Sequence, residues 1–362
     1  MASKLFGRTA PAVLVLAAGT LAFAAPVALF DLTGRAIDLP APAERIVTFP
    51  VPMAAAIIAL DGGIDRLAGI HPESKLAIEE GILGEFFPGA RDIPSAILAD
   101  GATRGTVPDI AAVQALSPDL VIQWEHADPG AGMLIDAGLD TALLVFGTEE
   151  NVRDVFMLIG AAIGATERVD MLLAWRDETS AAIEEGLATI PAEDRPTVAY
   201  FFYAQTDLQT EGRGTYFNWQ IRHLGATNAA EGMEGWGPVT DAVVAGWNPD
   251  IIFLGNFEPD LHTNRIYNDP DFAGTTAALD RRVYRMPLGG YRWGPGSIES
   301  PLAWMWLANL MYPDHFDFDL RAEVLEWYPR LYGHTPTEAQ IDAILEVELN
   351  GASANYERFL PR

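Results

Sequence analysis

Short apolar runs alternate with segments of helical periodicity along most of the chain. Residues 45–49, 67–70, 119–123 and 141–146 read as strands, and the apolar stretch 53–60 reads as one of the helices between them. Strands that alternate with helices predict a mostly parallel sheet. Residues 151–164 predict one helix, and Thr166 is placed to cap a second that runs toward Thr189. In that second helix Val169, Leu172, Leu173, Leu187 and Ile190 recur at helical spacing with acids on the opposite face, the pattern of a strut between two lobes. Pro191 and Pro196 close it, and strands at 197–202, 250–254 and 282–286 predict a second α/β lobe. From Ser300 the chain reads as mostly helical, with Ser300 as N-cap, Pro301 at the first helical position, and Pro336-Thr337 starting a last long helix.

One helix-to-strand unit occurs twice. Ser117-Pro118-Asp119-Leu120-Val121-Ile122 and Asn248-Pro249-Asp250-Ile251-Ile252-Phe253 match, with Pro118 and Pro249 standing 131 residues apart, and each follows a short helical segment. Proline cannot continue the helix, and the apolar run after it is too short for another, so both units predict helix, turn, buried strand. Two in register predict a duplicated lobe.

The first residues carry a different signal. Lys4 and Arg8, an apolar run over 10–21 and Ala22-Phe23-Ala24 have the layout of a cleavable secretory signal peptide. The predicted organisation is a signal peptide (1–24), a first α/β lobe (25–165), an inter-lobe helix (166–190), a second α/β lobe (191–333) and a C-terminal helical segment (334–362). The chain has no cysteine, which leaves neither a lipid-modifiable thiol nor a disulfide. Net charge is −27, and −29 without Lys4 and Arg8. Nucleic acid and anionic lipid surfaces repel such a chain. Apart from Lys4 and Lys75, all side-chain ammonium or guanidinium charge comes from arginine. The expectation is a periplasmic protein without lipid anchor or membrane insertion.

Several segments carry a family resemblance. Arg45-Ile46-Val47, the stretch 54–60 and Asp65-Arg66-Leu67-Ala68-Gly69-Ile70 are similar to the opening of class III substrate-binding proteins of ABC importers. The two Pro-Asp units, Leu224-Gly225-Ala226 with Asn228-Ala229-Ala230, and Trp236-Gly237-Pro238-Val239 resemble later landmarks of that family. The segment 286–293 with Glu299-Ser300-Pro301-Leu302 resembles one branch. This resemblance implies two Rossmann-like lobes with central, mostly parallel sheets, joined by a single long helix, with the ligand held in the cleft between them. It implies uptake of iron–siderophore, haem, cobalamin or related ligands, permease subunits of an ABC importer as partners, no cofactor, and a monomer.

Chemistry then belongs on loops at the carboxyl ends of the strands. In the first lobe those loops carry Pro50 and Val51, and Trp124, Glu125 and His126. In the second they carry Tyr203, Asn256 and Phe257, and Tyr291, Arg292 and Trp293, with Arg213 in a Gly-flanked turn. Aromatic faces cover a bulky chelate, and guanidinium forks suit carboxylate, phosphate or oxyanion edges. The plain alternatives are rim salt bridges for the two arginines, core positions for the tryptophans and a surface role for His126. His126 is a weak metal candidate, because no second histidine stands at metal-ligand spacing. The family presents an acid from each lobe to its permease, and Glu73 and Glu231 are the residues chosen here.

Three classes of role fit this layout. The first is a binding protein that delivers a metal chelate or metal oxyanion to an ABC importer. A bilobal enzyme such as a chelatase is the second, although cluster chemistry wants cysteines and a hydrolase wants a nucleophile elbow, neither of which occurs. A periplasmic sensor using the same cleft is the third. Among ligands an iron chelate stands first by family frequency, molybdate or tungstate second and cobalamin third.

Overall fold

The computed structural model describes residues 25–101, 107–205 and 207–361, so the leader expected at 1–24 lies outside the described residues. The described part of the chain begins with a hairpin of β1 (Val27–Phe30) and β2 (Ala36–Leu39). It continues through β3 (Ile46–Thr48), α1 (Met53–Asp61), β4 (Leu67–Ile70), α2 (Pro72–Glu80), α3 (Leu83–Phe86), α4 (Ile110–Ala115), β5 (Leu120–Trp124), α5 (Gly130–Asp136), β6 (Thr141–Leu144) and α6 (Glu149–Ile163). After α7 (Thr166–Leu187) come β7 (Thr197–Tyr203), β8 (Leu208–Glu211), α8 (Tyr216–His223), β9 (Thr227–Asn228), β10 (Trp236–Val239), α9 (Asp241–Trp247), β11 (Ile251–Leu254), α10 (Asn264–Tyr267), α11 (Thr276–Leu279) and β12 (Val283–Arg285). Four helices finish the chain: α12 (Ser300–Met311), α13 (Leu320–Tyr332), α14 (Glu338–Ile344) and α15 (Val347–Asn350).

The fold is α/β with two lobes. The first sheet is parallel throughout in the order β4-β3-β5-β6. In the second, β9, β7, β11 and β12 run parallel, and β8 and β10 add an antiparallel edge beyond β7. The repeated unit occupies equivalent places, since β5 lies between β3 and β6 as β11 lies between β7 and β12. Ser117 and Asn248 both adopt the left-handed conformation, with φ of 48° and 45°. A left-handed residue ends a helix, and the proline after it prevents continuation. The aspartates also match in role. Asp119 accepts from Glu44 N and Arg45 N, both at 2.9 Å, and Asp250 accepts from Thr197 N at 2.7 Å, so each fixes the start of the neighbouring central strand.

Several sequence expectations shift. Thr166 is the first residue of α7 rather than its cap; Ala165 holds the cap position and offers no side-chain acceptor. Glu299 precedes α12 and Ser300 is its first residue, because the Ser300 hydroxyl bonds the Ser297 carbonyl instead of capping the helix. The helix after Pro336 is short, opened by a reciprocal Thr337–Gln340 capping box. The β1–β2 hairpin and the antiparallel edge of the second sheet were not anticipated. In β10 half-buried and exposed residues alternate, and Pro238 is tolerated because the strand is an edge.

A shared core links the lobes. Val169, Leu172, Trp175, Ile183 and Leu187 of α7 are buried in an apolar cluster that runs from Ile46 and Ile57 of the first lobe to Tyr200 and Phe253 of the second. Trp175 stacks on Trp327 of α13 with ring centroids 3.9 Å apart. Arg168 bonds the carbonyls of Ala59 in α1 and of Arg330 and Leu331 in α13, so the C-terminal helices grip the first lobe as well as the second.

The polar node of this seam is Arg176. Its Nε and Nη2 donate to Glu149 at 2.6 and 2.5 Å, its Nη1 donates to the Ser297 carbonyl at 3.0 Å, and the Tyr216 hydroxyl donates to Glu149 at 3.1 Å. Burial opposes charge on Arg176, but the Glu149 carboxylate more than offsets it and its pKa rises. One buried ion pair thus ties α6 and α7 to two segments of the second lobe.

Candidate functional site

Segments that follow strand ends of the two lobes meet one another, Phe146 after β6 with Tyr216 and Gly147 with Gly214. After β3 the chain turns through Pro50 and Val51 into α1, and Ser74 of α2 donates to the Val51 carbonyl at 2.9 Å, tying that turn to the next helix. His71 follows β4 and caps α2, its Nδ1 accepting from Glu73 N at 3.0 Å. Burial lowers the His71 pKa to about 4, so the ring is neutral at physiological pH. Because Nδ1 accepts, the proton resides on Nε2, which is buried without a partner. Thr48 Oγ1 in β3 and Gln123 Nε2 in β5 are buried without partners too. Three adjacent strand ends of the first lobe therefore carry unused hydrogen-bonding groups.

Aromatic rings line the junction. Trp124 stacks on His126 at 5.8 Å and meets Phe146 at 5.3 Å, and Phe146 reaches Tyr216 of the second lobe at 5.8 Å. The lobes approach closely there: a Cβ on Gly147, whose φ is +139°, would lie 2.7 Å from the Gly214 carbonyl. On the second lobe Phe202, Tyr203 and Phe257 form a cluster, which exposed Trp236 joins edge-on to Phe202. Glu258 accepts from the backbone N–H groups of Ala204 and Gln205 at 2.7 and 3.0 Å and so joins two of the loops. Asn256 is buried and donates to the carbonyls of Met286 and Pro287, which makes it a support for the loop after β12.

That loop is built on one buried carboxyl group. Glu299 accepts from Gly290 N at 2.9 Å, from the Trp293 indole N–H at 2.7 Å and from the Tyr332 hydroxyl at 2.6 Å. Burial raises its pKa while these donors pull it back. A Cβ on Gly289 would fall 2.1 Å from the Glu299 carboxylate, and one on Gly290 2.2 Å from the Tyr332 hydroxyl, so both glycines are required by packing. Trp293 is fully buried and serves the loop from beneath.

Above this base sit Tyr291 and Arg292, both buried. Burial raises the Tyr291 pKa; Arg292 opposes the rise, and Glu73 and Tyr203 add to it. The Glu73 carboxylate, at the start of α2, thus acts on the second-lobe loop across the groove. The Arg292 guanidinium lies over the Phe257 ring at 4.9 Å and has its Nε–H buried without an acceptor. Arg213 differs: it is 61% exposed in a 3.4 Å pair with exposed Glu234, which places it at the rim. Glu125 and His126 are exposed, and among the described residues no group of three or more His, Cys, Asp or Glu could hold a metal ion. Glu231 pairs with Arg222 at 3.2 Å on the outer surface. His71 is not among the sequence-predicted site residues, although it follows the predicted strand 67–70 as directly as Trp124 follows 119–123; Phe146, Phe202 and the role of Glu299 are not among them either.

Known proteins share this fold. The model of the periplasmic binding protein family matches residues 101–288. The molybdate-binding protein MolA of Haemophilus influenzae is 35% identical over 134 residues, 36% of this chain and 38% of that protein. An uncharacterized ABC transporter substrate-binding lipoprotein of Bacillus subtilis, YvrC, is 27% identical over 216 residues, 58% of this chain and 66% of that protein. The matched segments span less than two thirds of either curated relative. A periplasmic solute binding protein from Veillonella parvula superposes with a TM-score of 0.79 at 27% identity, covering 90% of this chain and 98% of that one. With two α/β lobes, a connecting helix and a groove at their strand ends, the chain belongs to the periplasmic binding protein family, in its class III architecture.

Proposed function

We propose that this chain is the periplasmic substrate-binding component of an ABC importer, without enzymatic activity, and that its ligand is a small tetrahedral metal oxyanion of the molybdate or tungstate type. The observation that carries the reading is Arg292, a guanidinium 1% exposed whose Nε–H has no acceptor. A buried donor of this kind suits an anion small enough to be enclosed, because a fixed charge in a dry site binds without a competing hydration shell. His71 adds a second buried N–H without a partner, and Tyr291 lies beside Arg292 in the sequence of the same loop. Similarity to MolA over 134 residues supports the same ligand class. The iron chelate expected from family frequency becomes the second reading, favoured by the ring cluster of Phe202, Tyr203 and Phe257. Among the described residues no helix is long and apolar enough to cross a membrane.

Titration calorimetry with molybdate, tungstate and a ferric catecholate tests the assignment. Tungstate binding that weakens on the order of tenfold to a hundredfold in Arg292→Ala is the expected result, since a hydrogen bond to a charged group contributes about 1.5–3 kcal/mol. Binding of the ferric chelate alone would transfer the proposal to the second reading.

A further inference from the structure

Arg292 already faces a carboxylate of the other lobe. Its Nη1 and Nη2 lie 3.4 and 3.2 Å from one oxygen, Oε2 of Glu80, the last residue of α2. The contact is end-on to a single oxygen, so the two-pronged geometry of a strong arginine–carboxylate pair is not formed. Nε is left over, and the guanidinium is fixed against Phe257. The partners differ in their access to water, since the Glu80 side chain is 23% exposed and that of Arg292 is 1% exposed. Glu80 opens onto a cavity of about 910 Å³ that Glu85, Asp342, Glu346 and Glu348 also line. Of these, Glu346 pairs with Arg285 and Asp342 with Arg321, and water in the cavity can receive the Glu80 carboxylate when it leaves.

We propose that Glu80 is the resident anion of the Arg292 seat and sets the charge selectivity of the site. The inference rests on the reading of Arg292 as the ligand's anchor. With Glu80 in place the local pair is neutral, and an entering anion is opposed by the carboxylate in proportion to its own charge. A monoanion therefore meets half the opposition that a dianion of the same shape meets. Glu80 penalises the more highly charged oxyanion, and the other donors of the groove must outweigh that penalty.

Tungstate and perrhenate, tetrahedral oxyanions of similar size carrying two charges and one, separate the effects. Their affinities are measured by calorimetry on the wild-type protein, Glu80→Gln and Arg292→Gln. Glu80→Gln is expected to tighten perrhenate about tenfold and tungstate about a hundredfold, the logarithm of the gain doubling with ligand charge. Unchanged or weaker binding of both probes by a folded Glu80→Gln protein would mean that Glu80 only fastens the lobes, and equal gains for both would rule out charge as the cause. Should Glu80→Gln fail to fold, Glu80→Ala carries the same comparison. Tungstate affinity that survives Arg292→Gln defeats the anchor reading itself, whatever Glu80 does.

Discussion

Replacing Glu299 by glutamine exchanges one acceptor oxygen for an NH₂ at almost unchanged volume, and the structure assigns it a large effect. Two obligate donors, Gly290 N and the Trp293 indole N–H, address different oxygens of this carboxyl group at 2.9 and 2.7 Å. An amide has one acceptor oxygen and one NH₂. Whichever way the glutamine is turned, one N–H of the loop meets another N–H in a site fully shielded from water, and this holds whether Glu299 is ionised or protonated. Leaving a buried donor unpaired costs about 1–3 kcal/mol, and the second N–H it confronts is unpaired as well, so roughly 2–6 kcal/mol is expected. For a chain of this length that corresponds to a fall in Tm of roughly 3–8 °C. Urea denaturation measures the first quantity and scanning calorimetry the second. Displacement of the loop should also weaken tungstate binding at least about tenfold, because Arg292 and Tyr291 ride on it. Gly290→Ala perturbs the same contacts through the Tyr332 hydroxyl, so the double variant should fall short of additivity. A Glu299→Gln protein within about 1 kcal/mol of wild type, binding normally, would refute this account of the loop.

Arg176→Met leaves Glu149 with no cation in a buried seam and is expected to cost about 3–5 kcal/mol, whereas Arg176→Met with Glu149→Leu should recover most of it; equal losses in a urea-denaturation cycle would contradict the reading of a buried pair. The continuous core around α7, α12 and α13 is expected to hold the lobes to a tilt of a few degrees on ligand addition, and solution scattering that reports a large contraction would overturn this. Glu211, half-buried at the end of β8, has its carboxyl pKa raised to about 7 by desolvation. A raised carboxyl pKa stabilises the fold fully below the unfolded value and loses that contribution as pH rises toward 7, so Glu211→Gln should gain stability relative to wild type between pH 5 and pH 7.5 in paired denaturation curves. Glu231→Lys is expected to reduce uptake while leaving tungstate affinity unchanged, whereas Glu73→Lys should alter both because its charge acts on Tyr291; normal transport by both variants in cells would show that other carboxylates dock.

Much of the scaffold follows from local rules that can be read along the chain. Pro118 and Pro249 cannot continue a helix, the residues before them turn left-handed, and the apolar runs after them are long enough only for strands, so both repeated units were legible with their spacing. The strand ends are legible as well, and the loops that carry Trp124, Tyr203, Phe257, Tyr291 and Arg292 follow from them. Edge strands were not, because β8 and β10 gain their stability from pairing with each other and with β7 rather than from an apolar period of their own. Only the tertiary structure could separate Arg292 from Arg213, since both stand among glycines in loops and differ in what packs around them. Glu80 and Arg292 are 212 residues apart, and no local pattern connects them. A carboxylate brought across the groove by the meeting of two lobes is a property of their packing, and so is the dryness that gives the guanidinium its strength.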